Sequence, residues 1–294
     1  MTIDIMMPFY GDPAQFRRAV ESVVAQSDPD WRLVVVDDNY PDTSPGDWLV
    51  GLGDARISYV RNEANLGVAG NFSKCLELVR SDYFLLMGCD DILEPAYVGR
   101  MGSAILEYPT ASYFQPGVTV IGSDGNPTTP LPDRVKRWAR PRRASTSILS
   151  GESLASSLLR GNWTYFPSIC WRADVVRQYG FVEDFEVVLD LALQLEIIRG
   201  GGSLVVLPDP LFRYRRHAGS VSSWSAKDGS RFAEERAFFA TARKLMDEAG
   251  WHHAARVARF HMSSRLNAAT KLPAALRHWN TDGIRALTRH IVGY

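Results

Sequence analysis

Short apolar runs alternate with amphipathic stretches from the first residues onward. Ile3-Asp4-Ile5-Met6-Met7 is a short run ended by Pro8 and Gly11, which predicts a buried strand and a turn. Residues 13–26 carry Phe16, Ala19, Val20, Val23 and Val24 at helical spacing. Trp31 to Val36 is a β-branched strand cut off by Asp37-Asp38-Asn39. A short helix over 45–53 and a third strand over Ile57-Ser58-Tyr59-Val60 follow. Asn71 to Val79 sets Phe72, Cys75, Leu76 and Val79 on one helical face, and Tyr83 to Met87 is a fourth strand stopped by Gly88-Cys89-Asp90-Asp91. Strands alternating with helices in this way predict an α/β fold, a parallel sheet wrapped on both sides.

Beyond this the pattern changes. Between Ser123 and Ser150, Pro127, Pro130, Pro132 and a series of arginines predict one long loop, a length usually reserved for functional or moving segments. Helix resumes over 152–160 and again around Val188 to Leu195. Leu204-Val205-Val206-Leu207 predicts a strand ended by Pro208 and Pro210. Residues 230–248 form an amphipathic helix with Phe232, Phe238, Phe239, Ala242, Leu245 and Met246 on one side. More helix runs to the end, interrupted by Pro273.

Composition narrows the function classes. The 294 residues are 46% hydrophobic and 22% charged, which supports a sizeable core. Thirty-three Lys and Arg balance thirty-three Asp and Glu, so the chain as a whole is not built to coat nucleic acid. Three scattered cysteines, Cys75, Cys89 and Cys170, make neither a disulfide framework nor a zinc site and fit a reducing compartment. No apolar run reaches the length of a membrane span, and the N-terminus lacks a basic segment followed by an apolar stretch, so a cytoplasmic location is expected. The neutral total hides a division: residues 250–294 hold seven Lys and Arg against a single Asp, with Trp251, Phe260, Leu266, Leu276, Trp279, Ile284 and Leu287 among them. Such a basic tail can lie peripherally on an anionic inner membrane face, pack on the main domain, or join two copies into a homodimer.

In wound sheets ligands bind beyond the carboxyl ends of the strands, which puts Pro8–Asp12, Asp37–Asn39 and Asp90–Asp91 along one rim. Neither G-x-G-x-x-G nor G-x-x-x-x-G-K-[ST] occurs, against dinucleotide and P-loop chemistry. A carboxylate at the end of the second strand, Asp38, can accept an N–H from a ligand, and Tyr10 can stack beside a ring; Asp37 can equally hold the turn. Two acids directly after a buried strand are costly unless solvated or bound to a cation.

Five segments in this order resemble the family-2 glycosyltransferases of the GT-A fold. They are Pro8-Phe9-Tyr10, Val35-Val36-Asp37-Asp38-Asn39, Asn65-Leu66-Gly67-Val68-Ala69-Gly70-Asn71, Asp90-Asp91-Ile92-Leu93-Glu94-Pro95 and Leu207 to His217. The resemblance covers residues 2–223. It implies a Rossmann-like, mostly parallel sheet flanked by helices over 1–223, with a nucleotide-binding half (1–95), an acceptor-binding half (96–223) and a helical extension over 224–294. The implied activity is inverting transfer of a sugar from a UDP- or dTDP-sugar to a hydroxyl of a glycan, lipid-linked acceptor or related metabolite. A non-catalytic sugar-nucleotide or glycan-binding subunit is the alternative.

On that resemblance Pro8, Phe9, Tyr10, Asp12, Asp38, Asn65, Gly67, Asn71 and Asp90 contact the donor. Asp91 ligates Mn2+ or Mg2+, His217 completes the metal shell and Arg215, or the neighbouring Arg216, holds the diphosphate. The arginine that many relatives carry just before Asn71 is replaced here by Gly70. The base must be a carboxylate on the acceptor side. Asp190, set in an apolar helical run, is chosen over Asp184 of the Glu183-Asp184 pair. Asn162, Trp163 and Tyr165 either stack on an acceptor sugar or pack in the core, and Ser220 to Ser223 are expected to form a flap.

Overall fold

The computed structural model describes residues 1–141, 145–181, 187–216, 230–277 and 281–292. The first half runs β1 (Ile3–Phe9), α1 (Pro13–Val24), β2 (Trp31–Asp37), α2 (Ser44–Val50), β3 (Ile57–Arg61), α3 (Gly67–Leu78) and β4 (Tyr83–Leu86). The four strands are parallel, in the order β3-β2-β1-β4. Alternation along each strand explains why the runs are apolar throughout. Met6, Val34, Val36, Phe84 and Leu86 enter one core with Cys75 of α3, while Ile5, Met7, Leu33, Val35 and Leu85 enter the other with Phe16, Ala19, Val20 and Val23 of α1. Asp12 starts α1 by accepting the N–H groups of Ala14 and Gln15 at 2.8 and 2.9 Å, with Pro13 in the first turn.

The second half adds β5 (Ile92–Leu93), α4 (Tyr97–Glu107), β6 (Tyr113–Ile121), α5 (Leu131–Ala139), β7 (Ser147–Ser150), α6 (Gly151–Arg160), β8 (Cys170–Arg172), α7 (Ala173–Tyr179), α8 (Leu189–Arg199) and β9 (Ser203–Arg215). β8 pairs antiparallel with β4 and β6, β9 runs parallel to β6, and β7 and β5 pair antiparallel with successive halves of β9. The parallel wound sheet thus extends into a mixed one. Among the described residues four helices follow, α9 (Ser230–Glu248), α10 (His252–Phe260), α11 (Met262–Arg277) and α12 (Thr281–Val292). Phe238, Phe239, Ala242 and Met246 of α9 and Ala254, Ala255 and Ala258 of α10 share the core of α6 and α8. Phe232, Ala268 and Leu287 make a smaller cluster among the last helices. The expected boundary at residue 223 lies outside the described residues.

Three elements depart from the sequence reading. The stretch 123–150 is not one loop, because it holds helix α5 and strand β7. α5 has Pro132 in its first turn, Asp133 at its N-terminal end and Lys136 and Arg137 at its C-terminal end, all favourable to a helix. Pro208 and Pro210 do not end a strand, since β9 continues through both. The register against β6 slips around Gly117, where a Cβ would stand 2.7 Å from the carbonyl oxygens of Pro208 and Asp209. Glycine there lets two strands pass where proline has removed a donor. Pro273 lies within α11 and does not interrupt it.

The wholly buried carboxylate of Asp4 ties three segments of the first half together. Arg32 of β2 grips it bidentately at 2.9 and 2.5 Å, and the N–H groups of Arg80 and Ser81 before β4 donate at 2.6 and 3.0 Å. Burial alone would raise this carboxyl, but the Arg32 bonds and the two N–H groups outweigh it and hold it below the usual range. Its stabilisation is therefore present above the ordinary carboxylate pKa and fades as pH falls through the lower folded value. Asp4→Ala strands Arg32 and two N–H groups, and should lower unfolding free energy by about 3 kcal/mol or more in a denaturant titration at neutral pH.

Candidate active site at the carboxyl edge of the sheet

β2 delivers two buried carboxylates with different partners. Asp37 is turned into the fold, where it accepts the Tyr40 N–H at 2.7 Å, the Tyr59 hydroxyl and Arg61 Nη1 at 3.1 Å. Asp38 organises the loop that enters α3. Its Oδ1 accepts Asn62 Nδ2 at 2.9 Å and the Leu66 N–H at 2.7 Å, and its Oδ2 accepts the Gly67 N–H at 3.0 Å. Gly67 sits at φ +73°, a conformation suited to glycine. Asn65 Nδ2 donates to the Asp38 carbonyl at 3.1 Å, and Asn71 accepts from Asn62 at 3.0 Å and donates to the Val36 carbonyl at 3.1 Å. A carboxylate has about four acceptor positions, so Asp38 retains roughly one for an incoming donor.

The end of β1 lies between Asp38 and the Asp90–Asp91 turn. The Phe9 carbonyl accepts the Asp38 N–H at 2.9 Å. Two residues on, a Cβ at Gly11 would lie 3.2 Å from Cys89 Sγ. Tyr10 is more than half exposed, with its ring edge-on to Tyr40 at 5.4 Å. The Cys89 thiol, bonded to the Tyr10 backbone, is pushed up to about 12 by burial, so it stays a thiol and helps fix the turn.

Asp91 is buried at 1% exposure, and its Oδ1 accepts the Arg215 N–H of β9 at 2.7 Å. Arg215 is buried as well. Its Nε donates to the Asp90 carbonyl at 2.6 Å and its Nη1 to the carbonyls of Gly122 and Ser123. A Cβ at Gly88 would fall 2.6 Å from Asp91 Oδ2 and 3.1 Å from Asp90 Oδ1, so two carboxylate oxygens converge on a space that only glycine leaves free. Burial first, and the neighbouring Asp90 second, raise the Asp91 carboxyl well above the carboxylate range. Two hard oxygens around a glycine hollow fit a divalent cation, which would take up the like charge that burial makes costly. Among the described residues no set of three or more His, Cys, Asp or Glu converges as a complete cage. A Mg2+- or Mn2+-type site of one or two carboxylates, finished by water and phosphate oxygens, does not need one.

A second polar cluster lies where α8 begins. Asp190 Oδ2 accepts Asn162 Nδ2 at 2.8 Å and its Oδ1 accepts the Leu191 N–H at 2.7 Å. Asn162 Oδ1 accepts the Thr164 hydroxyl at 2.7 Å, and Thr164 accepts Gln194 Nε2 at 3.1 Å. Glu234 of α9 accepts the N–H groups of Val187 and Val188 at 2.7 and 3.1 Å, fixing the start of the helix. Tyr165 links this cluster to the end of β9. Its ring meets Tyr214 at 5.2 Å, and its hydroxyl donates to Asp133, which is paired with Arg216 at 2.6 Å.

The sequence model of glycosyl transferase family 2 matches residues 4–164, from β1 to the Asn162–Thr164 segment. The chain belongs to glycosyl transferase family 2. It is 27% identical over 97 residues to the uncharacterized glycosyltransferase MJ1057 of Methanocaldococcus jannaschii, 32% of this chain and 33% of that protein. The chain spans between 12% and 35% of the length of three curated relatives, that one among them. In structure it resembles Staphylococcus aureus TarS 1–349 in complex with UDP-GlcNAc, with a TM-score of 0.65 at 14% identity over 100% of this chain and 91% of that one. It also resembles mannosyltransferase PcManGT from Pyrobaculum calidifontis in complex with GDP-Man and Mn2+, with a TM-score of 0.61 at 16% identity over 99% and 86%. These likenesses establish the GT-A fold.

Against that family pattern, several expected contacts are turned elsewhere. The Phe9 ring is buried on Phe16 and Tyr40 and presents only its backbone to the rim. Asp12 is engaged as the cap of α1, and Pro8 lies inside β1 opposite Val36. Trp163 packs in the core with Nε1 on Ser157, so the core alternative holds for it. Arg215, expected on the diphosphate, is buried with its Nε and Nη1 donating to main-chain carbonyls. His217, Glu183, Asp184 and Ser220 to Ser223 lie outside the described residues. The sequence reading passed over Gly88, Asn62, Gln194 and Glu234. Only Gly88 carried a signal, standing between a strand and an acid pair.

Asp91→Asn keeps the acceptor for Arg215 and removes the charge. A carboxyl raised by folding stabilises below its unfolded pKa and loses that contribution as pH climbs through the folded value. Metal-free Asp91→Asn should therefore melt at or above the wild-type temperature at neutral pH. Its Mn2+ affinity, read by calorimetry with UDP present, should fall at least about tenfold, the loss known for partners one shell further out. Gly88→Ala should cost metal affinity in the same assay, because its Cβ displaces Asp91.

Proposed function

We propose that the chain is an inverting glycosyltransferase, moving a hexosyl or deoxyhexosyl group from a UDP- or dTDP-sugar to an acceptor hydroxyl. The acceptor class is a cell-envelope glycan, a lipid-linked glycan or a related metabolite, and the reaction is cytoplasmic. The observation that carries the reading is the pairing of Asp38 with Asp90–Asp91 on either side of the β1 end, joined by Phe9 to Gly11. The bound UDP-GlcNAc of TarS and the GDP-Man and Mn2+ of PcManGT support a nucleotide-sugar donor and a divalent cation on this fold.

In this reading Asp38 accepts the base N–H with its remaining position, Tyr10 stacks beside the ring, and Asn65, Gly67 and Asn71 hold the loop. Asp90 and Asp91 hold Mn2+ or Mg2+, which when bound offsets the charge of a leaving diphosphate. On the acceptor side the hydroxyl oxygen attacks the anomeric carbon from the face opposite the diphosphate. The anomeric C–O bond breaks with its electron pair going to the diphosphate, and Asp190 takes the hydroxyl proton. Asn162 positions Asp190 through the 2.8 Å bond, leaving the carboxylate other acceptor positions. Residues 1–223 form the catalytic unit and 224–294 a helical buttress, with Glu234 bracing the helix that carries the base.

Calorimetry with UDP-, dTDP- and GDP-sugars in Mn2+ tests the donor, and absence of binding by all three would sink the reading. Asp190→Asn should bind donor as wild type does and lose transfer by about 10²–10⁴-fold. Wild-type-like turnover would remove Asp190 as the base, and an intact donor site with no turnover in wild type would favour a binding subunit.

A further inference from the structure

Helix α5 is amphipathic the wrong way round for a soluble protein. Its polar face is the one pressed against the fold. Asp133 pairs with Arg216, Lys136 donates to the Thr164 carbonyl at 2.6 Å, and Arg140, just past the helix, donates to the Leu207 carbonyl at 3.1 Å. Its apolar face points out: Leu131, Val135 and Trp138, at i, i+4 and i+7, are 60%, 44% and 75% exposed. A surface helix ordinarily buries such a stripe, and an outward one marks a contact surface.

We propose that α5 seats the protein on an anionic lipid surface. Charge decides the partner. The exposed charged residues of α5 are Arg134 and Arg137, both cationic, while its single acid, Asp133, is buried and neutralised. A second copy of the same face would set arginine against arginine. An apolar stripe edged by arginines, with a tryptophan at the tip, matches the boundary between acyl chains and anionic headgroups.

The neighbouring surface continues the pattern. Gly161 separates α5 from α11, since a Cβ there would lie 3.5 Å from Ala139 and 4.0 Å from Ser263. On α11, Met262 and Leu266 are exposed one turn apart with Arg265 between them in sequence. Lipid contact, one of the three roles open to the basic tail, is thus assigned to α5 and the first turn of α11. Leu287 and His290 near the chain's end are buried among the helices. No helix among the described residues is long and apolar enough to cross a membrane, so the contact is superficial. It lies beside Tyr165, whose ring Lys136 covers at 4.7 Å, three residues from Asn162.

The test is flotation of the full chain with vesicles of phosphatidylcholine alone or with phosphatidylglycerol added, at low and high salt. Wild type should float with the anionic vesicles at low salt, less at high salt, and poorly with phosphatidylcholine. Val135→Ser/Trp138→Ser should cut partitioning by about tenfold or more with an unchanged melting temperature, because both side chains face solvent. Leu276→Ser, exposed at the far end of α11, should float as wild type does. Failure of wild type to float with anionic vesicles overturns the proposal, as does undiminished flotation of the double variant. A wild-type dimer in sedimentation velocity that the double variant abolishes would overturn it in favour of a second copy.

Discussion

The hydrogen bond from the Arg215 N–H to Asp91 is the tie on which the candidate site depends. Asp91 is a buried carboxylate beside another carboxylate, the arrangement a fold can least easily hold without compensation. One main-chain donor and the field of the buried Arg215 guanidinium supply part of it. The same strand end carries Tyr214 and Arg216 to Tyr165 and Asp133, and so connects the nucleotide rim to the Asn162–Asp190 cluster. β9 is thereby the element that touches both clusters.

That dependence explains what could be read from the chain and what could not. The first four strands and their helices were legible because parallel strands buried on both faces must be apolar throughout, and their polar ends then stand out. Asp38 and Asp91 were visible for that reason. β9 was legible only to Leu207. Proline normally ends a strand, and its continuation rests on Gly117 of β6, a partner 91 residues before Pro208 that no local pattern reveals. Arg215 looked like a phosphate ligand because it follows a strand in a basic cluster. Its Nε and Nη1 bond to carbonyls of Asp90, Gly122 and Ser123, distant in sequence.

Helix α5 was missed for a related reason. Patterns are read on the premise that apolar stripes face inward, and here the inward face is Asp133, Lys136 and Arg140. Prolines and arginines then looked like loop. Trp163 and Tyr165 illustrate the same limit at single positions: side chains two residues apart go to different places, one into the core beneath α6 and one to the junction with β9. The helical extension was legible as helix, but not its reach into the fold through Glu234, which caps the helix bearing Asp190.

Asp91 and the Arg215 N–H that binds it are 124 residues apart in the chain. During synthesis the acid turn therefore leaves the ribosome long before the strand that fixes it. Until β9 follows, Asp91 has no Arg215 N–H to accept. A chain cut short before β9 would lack both the N–H that holds Asp91 and the guanidinium that ties the Asp90 carbonyl to Gly122 and Ser123.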